Sequence, residues 1–144
     1  MQLHPGQGLG EIVFGSQQAD IVSMLGEPDK IFTDEDDDDE LIYQYNKLKL
    51  RLSFYMTEEG KLGYIRTASP EANFNGEKLI GRPVQEVIDT TFSDLPGWEE
   101  ENYDFFDTYL NGENWIVLNS SYDEVTDIEI GVPYNEDDNT YDWP

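Results

Sequence analysis

No lysine or arginine follows Arg82. Residues 83 to 144 carry 17 acidic side chains and no basic one, whereas residues 1 to 82 carry 15 acids and 8 bases. A buried carboxylate needs a counter-charge or a full set of hydrogen bonds. One-to-one pairing can neutralise at most 8 of the 32 carboxylates, and the other 24 must be solvated, metal-bound or presented to something positive. Such a chain needs elements that give one face to a core and leave the other in water, as antiparallel strands and amphipathic helices do.

Two segments open alike. Gly15-Ser16-Gln17-Gln18-Ala19-Asp20-Ile21-Val22 parallels Gly81-Arg82-Pro83-Val84-Gln85-Glu86-Val87-Ile88. In the first, Ser16 reads as an N-cap, Ile21, Met24 and Leu25 share a helical face, and Gly26 with Pro28 ends the helix. In the second, Pro83 suits a first turn, and Val84, Val87, Ile88 and Phe92 form the apolar stripe. Thr90 and Thr91 soften its C-terminal end.

Three strand-like runs follow each helix. The first set is Leu41 to Tyr45, Leu48 to Met56 and Leu62 to Thr67. Its middle run alternates, with Leu48, Leu50, Leu52 and Phe54 on one side. The second set is Tyr103 to Leu110, Asn114 to Ser120 and Val125 to Val132, with Asn111-Gly112 as a hairpin turn. Glu11 to Phe14 reads as an edge strand. The expected fold is therefore α+β: a two-layer sandwich, with an antiparallel sheet of about six strands under two helices on one face. It is one domain, with repeat units at roughly residues 9 to 69 and 74 to 133, followed by an acidic tail at 134 to 144.

Leu9-Gly10-Glu11-Ile12-Val13-Phe14-Gly15, a helix, and then Leu25-Gly26-Glu27-Pro28-Asp29 resemble the opening of the helix-plus-meander units of the beta-lactamase inhibitory protein-like superfamily. Small lipoproteins of outer-membrane assembly open similarly. The resemblance implies a sheet whose open face binds another protein. The second unit lacks the Leu-Gly-x-Pro ending, and the chain has no Cys.

Charge narrows the function classes. The formal net charge is −24, spread over a surface of about 7,600 Å² from mass scaling. Such a field repels phosphate, so neither nucleic acid nor an anionic membrane is an expected partner. No signal-like or bilayer-length apolar run is visible, and a reducing cytoplasm is the simplest compartment. The only imidazole is His4, in a Gly-rich terminus that reads as disordered. No nucleophile motif or phosphate loop is present. The expectation is a protein without catalytic residues or cofactors.

Seven consecutive acids, Asp34 to Glu40, raise the question of a cation. An EF-hand beginning at Asp34 needs Gly at 39 and Glu at 45, where the chain has Asp39 and Tyr45. The run reads as a solvated loop, and no metal site is expected. Trp98-Glu99-Glu100-Glu101 and the strand beyond it mix acids with aromatics, the side chains that anchor protein interfaces. Phe105 and Trp115 read as core; Trp98 and Trp143, beside acids and outside regular elements, are open between packing and binding.

The composite is an acidic inhibitor of a basic protein, of the immunity type. It would neutralise a target such as a nuclease toxin by carboxylate mimicry of phosphate and by steric blocking. The candidate partner-binding residues are Trp98, Glu99, Glu100, Glu101, Asp104 and Asp107. A second region comprises Asp36, Asp37, Asp38, Asp39 and Glu40, with Trp143 in the tail. The alternatives are a non-enzymatic scaffold module of the lipoprotein-like type, a calcium-responsive acidic domain and a salt-adapted protein.

Overall fold

Four strands, not three, follow each helical segment. In the first half they are β1 (Lys30–Thr33), β2 (Glu40–Tyr45), β3 (Leu50–Tyr55) and β4 (Lys61–Thr67). In the second they are β5 (Trp98–Asn102), β6 (Asp107–Asn111), β7 (Ile116–Ser121) and β8 (Glu124–Gly131). The computed structural model describes residues 1–144. Its eight strands form one antiparallel sheet in the order β5-β6-β7-β8-β4-β3-β2-β1. The last strands of the two meanders, β4 and β8, pair at the centre, where Ile65 faces Ile130.

The fold is thus mostly β, and the expected two-layer sandwich of about six strands with two helices is corrected. Both missed strands lie at sheet edges, where an element is held by backbone pairing and needs little burial. β5 reads as an acid run because Glu99, Glu100 and Glu101 fill it, yet each pairs with a residue of β6. β1 leaves Ile31 53 % exposed. The expected strand from Tyr103 to Leu110 is broken at residues 103–106, where the chain turns. The expected two-residue turn at Asn111-Gly112 is a longer connection from Asn111 to Ile116, closed by Asn111 Oδ1 accepting from the Asn114 amide at 3.2 Å.

The helical elements are small. α1 (Gln18–Leu25) starts one residue later than Ser16 suggests. Its N-cap is Gln17, whose amide donates to Asp20 Oδ2 at 3.0 Å, while Ser16 Oγ bonds the Val13 carbonyl instead. Gly26 ends it at φ 86°, as the sequence predicts. α2 (Val84–Glu86) passes at once into a π turn over Val87–Thr91. There Thr90 Oγ1 donates to the Glu86 carbonyl at 2.7 Å, a back-bond that competes with helix geometry.

The rest of the covering layer comes from segments with little helix. The N-terminus is an ordered three-stranded sheet of Leu3–His4, Gly8–Leu9 and Ile12–Val13, and not a loose end. Its Leu3, Leu9 and Ile12 join Ile21, Leu79, Val84, Val87 and Phe92 in a single 24-residue core cluster with the sheet. A central row of that face runs Tyr43, Leu52, Ile65, Ile130 and Ile116 across five strands. Leu52 has no exposed surface, and its truncation to Ala should cost about 3 kcal/mol. Val125 enters this face because a bulge between Asn119 and Ser120 shifts the register, leaving Thr126 outside.

The other face is open. One of its rows runs Lys30, Gln44, Arg51, Arg66, Glu129, Val117, Leu110 and Glu99. Bases lie on the first meander and acids on the second.

Candidate functional site

The acids predicted to bind are not one patch. The turn after β5 and the loop between β1 and β2 lie at opposite edges of the sheet, six strand spacings or about 29 Å apart. They also lie at opposite strand ends, because Glu40 opens β2 beside Tyr55 whereas Asn102 closes β5 beside Asp107.

In the first region, Trp98 is no free anchor. Its ring packs 5.3 Å from Phe92 and its Nε1 donates to the Leu95 carbonyl at 2.8 Å. Glu100 points to the covered side and accepts from Tyr109 Oη at 2.8 Å, while Glu99 and Glu101 are exposed on the other face. Asp107 is half-buried at the start of β6, and Asp104 sits exposed in the turn. In the second region, the acid run is folded by its own carboxylates. Asp34 Oδ1 accepts from the Asp36 amide at 2.8 Å and Asp37 Oδ1 from the Asp39 amide at 2.9 Å, two successive Asx turns. Asp38 is exposed beside them, and Glu40 is half-buried. Burial pushes the Glu40 carboxyl up, and Asp34 and Asp37 add to this. No group of three or more His, Cys, Asp or Glu side chains is arranged to hold a metal. Trp143 packs against Tyr141 and Tyr55, with Lys61 Nζ 5.2 Å from its ring.

The residues the sequence hides are at the tips of the two hairpins β5–β6 and β7–β8, which lie side by side. Phe105, expected in the core, is 88 % exposed, and Tyr122 is 99 % exposed. Tyr103 and Phe106 stack with centroids 4.7 Å apart and planes at 12°. The Tyr103 amide closes the first turn on the Phe106 carbonyl at 2.9 Å. Ser121 Oγ donates to the Phe105 carbonyl at 3.0 Å and joins the tips. Glu101, Asp104 and Asp123 stand next to these residues along the two tips, and all are exposed. The Glu101 carboxylate beside Tyr103 raises its phenol.

Backbone strain marks the second tip. Tyr122 and Asp123 both lie at positive φ, 51° and 66°. A turn of that shape favours Asn-Gly, and a non-glycine residue there costs about 1–2 kcal/mol. Tyr122 gains no packing in return. A sequence reader has one clue: Tyr-Asp stands between two strands where turn chemistry calls for Asn or Gly.

Behind the tips, the open face carries a hydrogen-bonded network. Asp127 accepts from Arg66 Nε at 2.9 Å and from Asn119 Nδ2 at 2.8 Å. Glu129 accepts from Asn119 Nδ2 at 2.6 Å and from Tyr64 Oη at 2.8 Å. A cleft of about 510 Å³ lies over it, bounded by Arg66, Tyr103, Phe106 and Thr108. On the far meander, Lys30 and Arg51 sit 4.7 and 5.6 Å from the Phe32 ring.

No family model matches this chain, and no curated protein does. Among solved structures it is similar to an extracellular protein containing an SCP domain from Bacillus anthracis str. Ames. The TM-score is 0.50 at 12 % identity, over 80 % of this chain and 42 % of that one. This likeness concerns the fold alone, and the chain spans less than half the length of that protein.

Proposed function

We propose that this chain is a non-catalytic acidic protein that docks a basic protein through the paired hairpin tips, in the manner of an immunity protein that blocks a toxin such as a nuclease. The observation that carries the reading is Tyr122: a fully exposed aromatic on strained backbone, beside exposed Phe105 and three carboxylates. Folding gives no reason for that residue in that conformation, whereas an interface does. Tyr and Phe with few rotors supply buried contact area, and carboxylates around them steer a cationic partner. Within the proposed site Glu101, Asp104 and Asp107 remain from the sequence reading, Phe105 and Tyr122 are added, and Trp98 serves the core.

The test is a comparison of the full chain with Phe105→Ala/Tyr122→Ala as baits at low salt. The expected outcome is a basic protein retained by the first, lost by the double variant, and released by about 0.5 M NaCl, where the Debye length falls below about 5 Å. A nuclease among the retained proteins should lose activity on titration with the wild-type chain. Identical retention by both baits overturns the reading.

A further inference from the structure

After β8 the chain returns as a hairpin, Tyr134–Asn135 paired with Thr140–Tyr141, at the end of the sheet opposite the tips. Between this hairpin and the open face lies a cleft of about 1130 Å³. Its aromatic lining is Tyr55, Tyr64, Trp115, Tyr134 and Tyr141. Its carboxylates are Glu40, Glu113, Glu136, Asp137 and Asp142, and no Lys, Arg or His is among its fourteen lining residues.

The aromatic surface is built into the sheet. Gly63 lies beneath the Tyr55 ring and Gly131 beneath Trp115 and Tyr64. A Cβ at Gly131 would collide with Trp115 and sit 2.9 Å from Tyr64 Cδ2; one at Gly63 would collide with Tyr55. Glycine inside a strand weakens it and marks a close approach. Here the approaching groups are the rings of the cleft. The hairpin completes the wall, with Tyr141 5.3 Å from Tyr55 and Tyr134 4.9 Å from Tyr141.

The lining selects among ligands. An anion meets five uncompensated carboxylates. A purely apolar group would desolvate them without return. An ammonium on an aliphatic stem satisfies both surfaces, with its charge at the carboxylates and against the π faces and its methylenes along the rings. The chain already holds one such group against this aromatic cluster, Lys61 Nζ at Trp143, whose ring lies 5.6 Å from Tyr141.

We infer that this cleft binds primary alkylammonium groups, presented as lysine side chains on an extended peptide segment. The same chemistry belongs to free polyamines, but a volume above the usual range for small-molecule sites suits a segment of chain better than a single amine. The site is independent of the hairpin tips and does not rest on their role.

The test follows the amide and indole resonances of the isotope-labelled full chain during titration with pentalysine, with the same peptide acetylated on every lysine, and with spermidine. Pentalysine should shift Gly112, Trp115, Tyr134 and Tyr141, and the acetylated peptide should shift none of them. Tyr134→Leu, at an exposed wall position, should weaken binding about tenfold. Glu136→Gln/Asp142→Asn should weaken it similarly if its spectrum stays folded. Phe105→Ala/Tyr122→Ala should bind pentalysine as the wild type does, which separates this result from the fate of the docking proposal. Tighter binding of pentalysine than of spermidine supports a peptide ligand, and the reverse order overturns that assignment. Shifts with the acetylated peptide, shifts spread evenly over the acidic surface, or indifference to Tyr134→Leu overturn the site.

Discussion

Ser121 Oγ donates to the carbonyl of Phe105 across 16 residues of sequence and 3.0 Å of space. That bond ties the β7–β8 tip to the β5–β6 tip, so the most exposed rings of the molecule are presented as a pair. A hydroxyl bonded to a backbone carbonyl fixes position without depending on the ring. Ser121→Ala should therefore leave overall stability nearly unchanged, within about 1 kcal/mol. It should weaken partner binding by loosening Phe105, with faster dissociation and little change in association rate. Stopped-flow kinetics at fixed salt distinguishes the two; an unchanged dissociation rate counts against presentation as a pair.

Tyr122 should trade stability against binding. Replacing it with Asn or Gly places a residue suited to positive φ at the tip and removes no packing. Relief of about 1 kcal/mol corresponds to a rise of about 2–4 °C in Tm for a chain of this size. The same variant should bind the partner less tightly. Thermal unfolding together with calorimetric titration checks both signs, and a fall in Tm would show that the tip is not strained.

Gly131→Ala should displace Trp115. The added Cβ lands on the indole and on Tyr64, and overpacking of this kind costs about 1–3 kcal/mol. Trp115 is moved toward water, so its emission should shift to the red. Since Trp98 and Trp143 also emit, the measurement belongs in a background where both are Phe. Gly112→Ala, where an added Cβ meets nothing, is the matched control. Equal emission for the two variants would place the ring elsewhere.

What the sequence made legible is the interior. Alternation at Leu50, Leu52 and Phe54 marks a core face, because burial imposes period two on any strand packed on one side, whereas Leu48, expected on the same side, precedes the strand and is 38 % exposed. The edges were hidden because they obey no such pattern. β5 pairs its backbone while Glu99 and Glu101 remain in water, so composition resembles a loop. Phe105 was misread for the opposite reason: a turn interrupts the apparent strand, and hydrophobicity alone cannot separate a buried Phe from a displayed one. For the same reason Tyr43 and Tyr45 belong to the core face while Tyr55 and Tyr64 belong to the open one. The acid runs were visible, but sequence distance could not reveal that Asp36 to Glu40 and Glu99 to Glu101 occupy opposite edges.

Alkaline titration should be steep and late. Burial pushes up Tyr55 and Tyr64, with Glu129 adding to the second, and raises Tyr109 to about 12, helped by Glu100. Each phenol keeps its proton in the folded state when the unfolded chain would release it at about 10. The stability this represents is complete below pH 10; for Tyr109 it is lost as pH rises through about 12, and for Tyr55 and Tyr64 at still higher pH. Absorbance at the tyrosinate band should show Tyr55, Tyr64 and Tyr109 ionising only as circular dichroism reports unfolding. Ionisation of Tyr55, Tyr64 and Tyr109 near the ordinary value, with structure intact, would contradict their burial.

Salt should stabilise this protein, and Arg66 is where the effect can be read locally. A net charge of −24 opposes compaction, and the Debye length contracts from about 20 Å in dilute buffer to about 10 Å at 0.1 M salt. The urea midpoint should therefore rise with NaCl. At the centre of the open face, Arg66 bonds Asp127 and lies across from Glu129, both linked through Asn119. Arg66→Gln leaves those carboxylates without their cation. It should cost about 1 kcal/mol in dilute buffer and less as salt screens the repulsion. Lys30→Gln, at the exposed edge beside Phe32, should cost less at every salt concentration, since its charge faces no bonded carboxylate. Urea unfolding of both variants at low and high salt provides the comparison. A salt-independent loss at Arg66 would mean that the residue acts through packing of its stem and not through its charge.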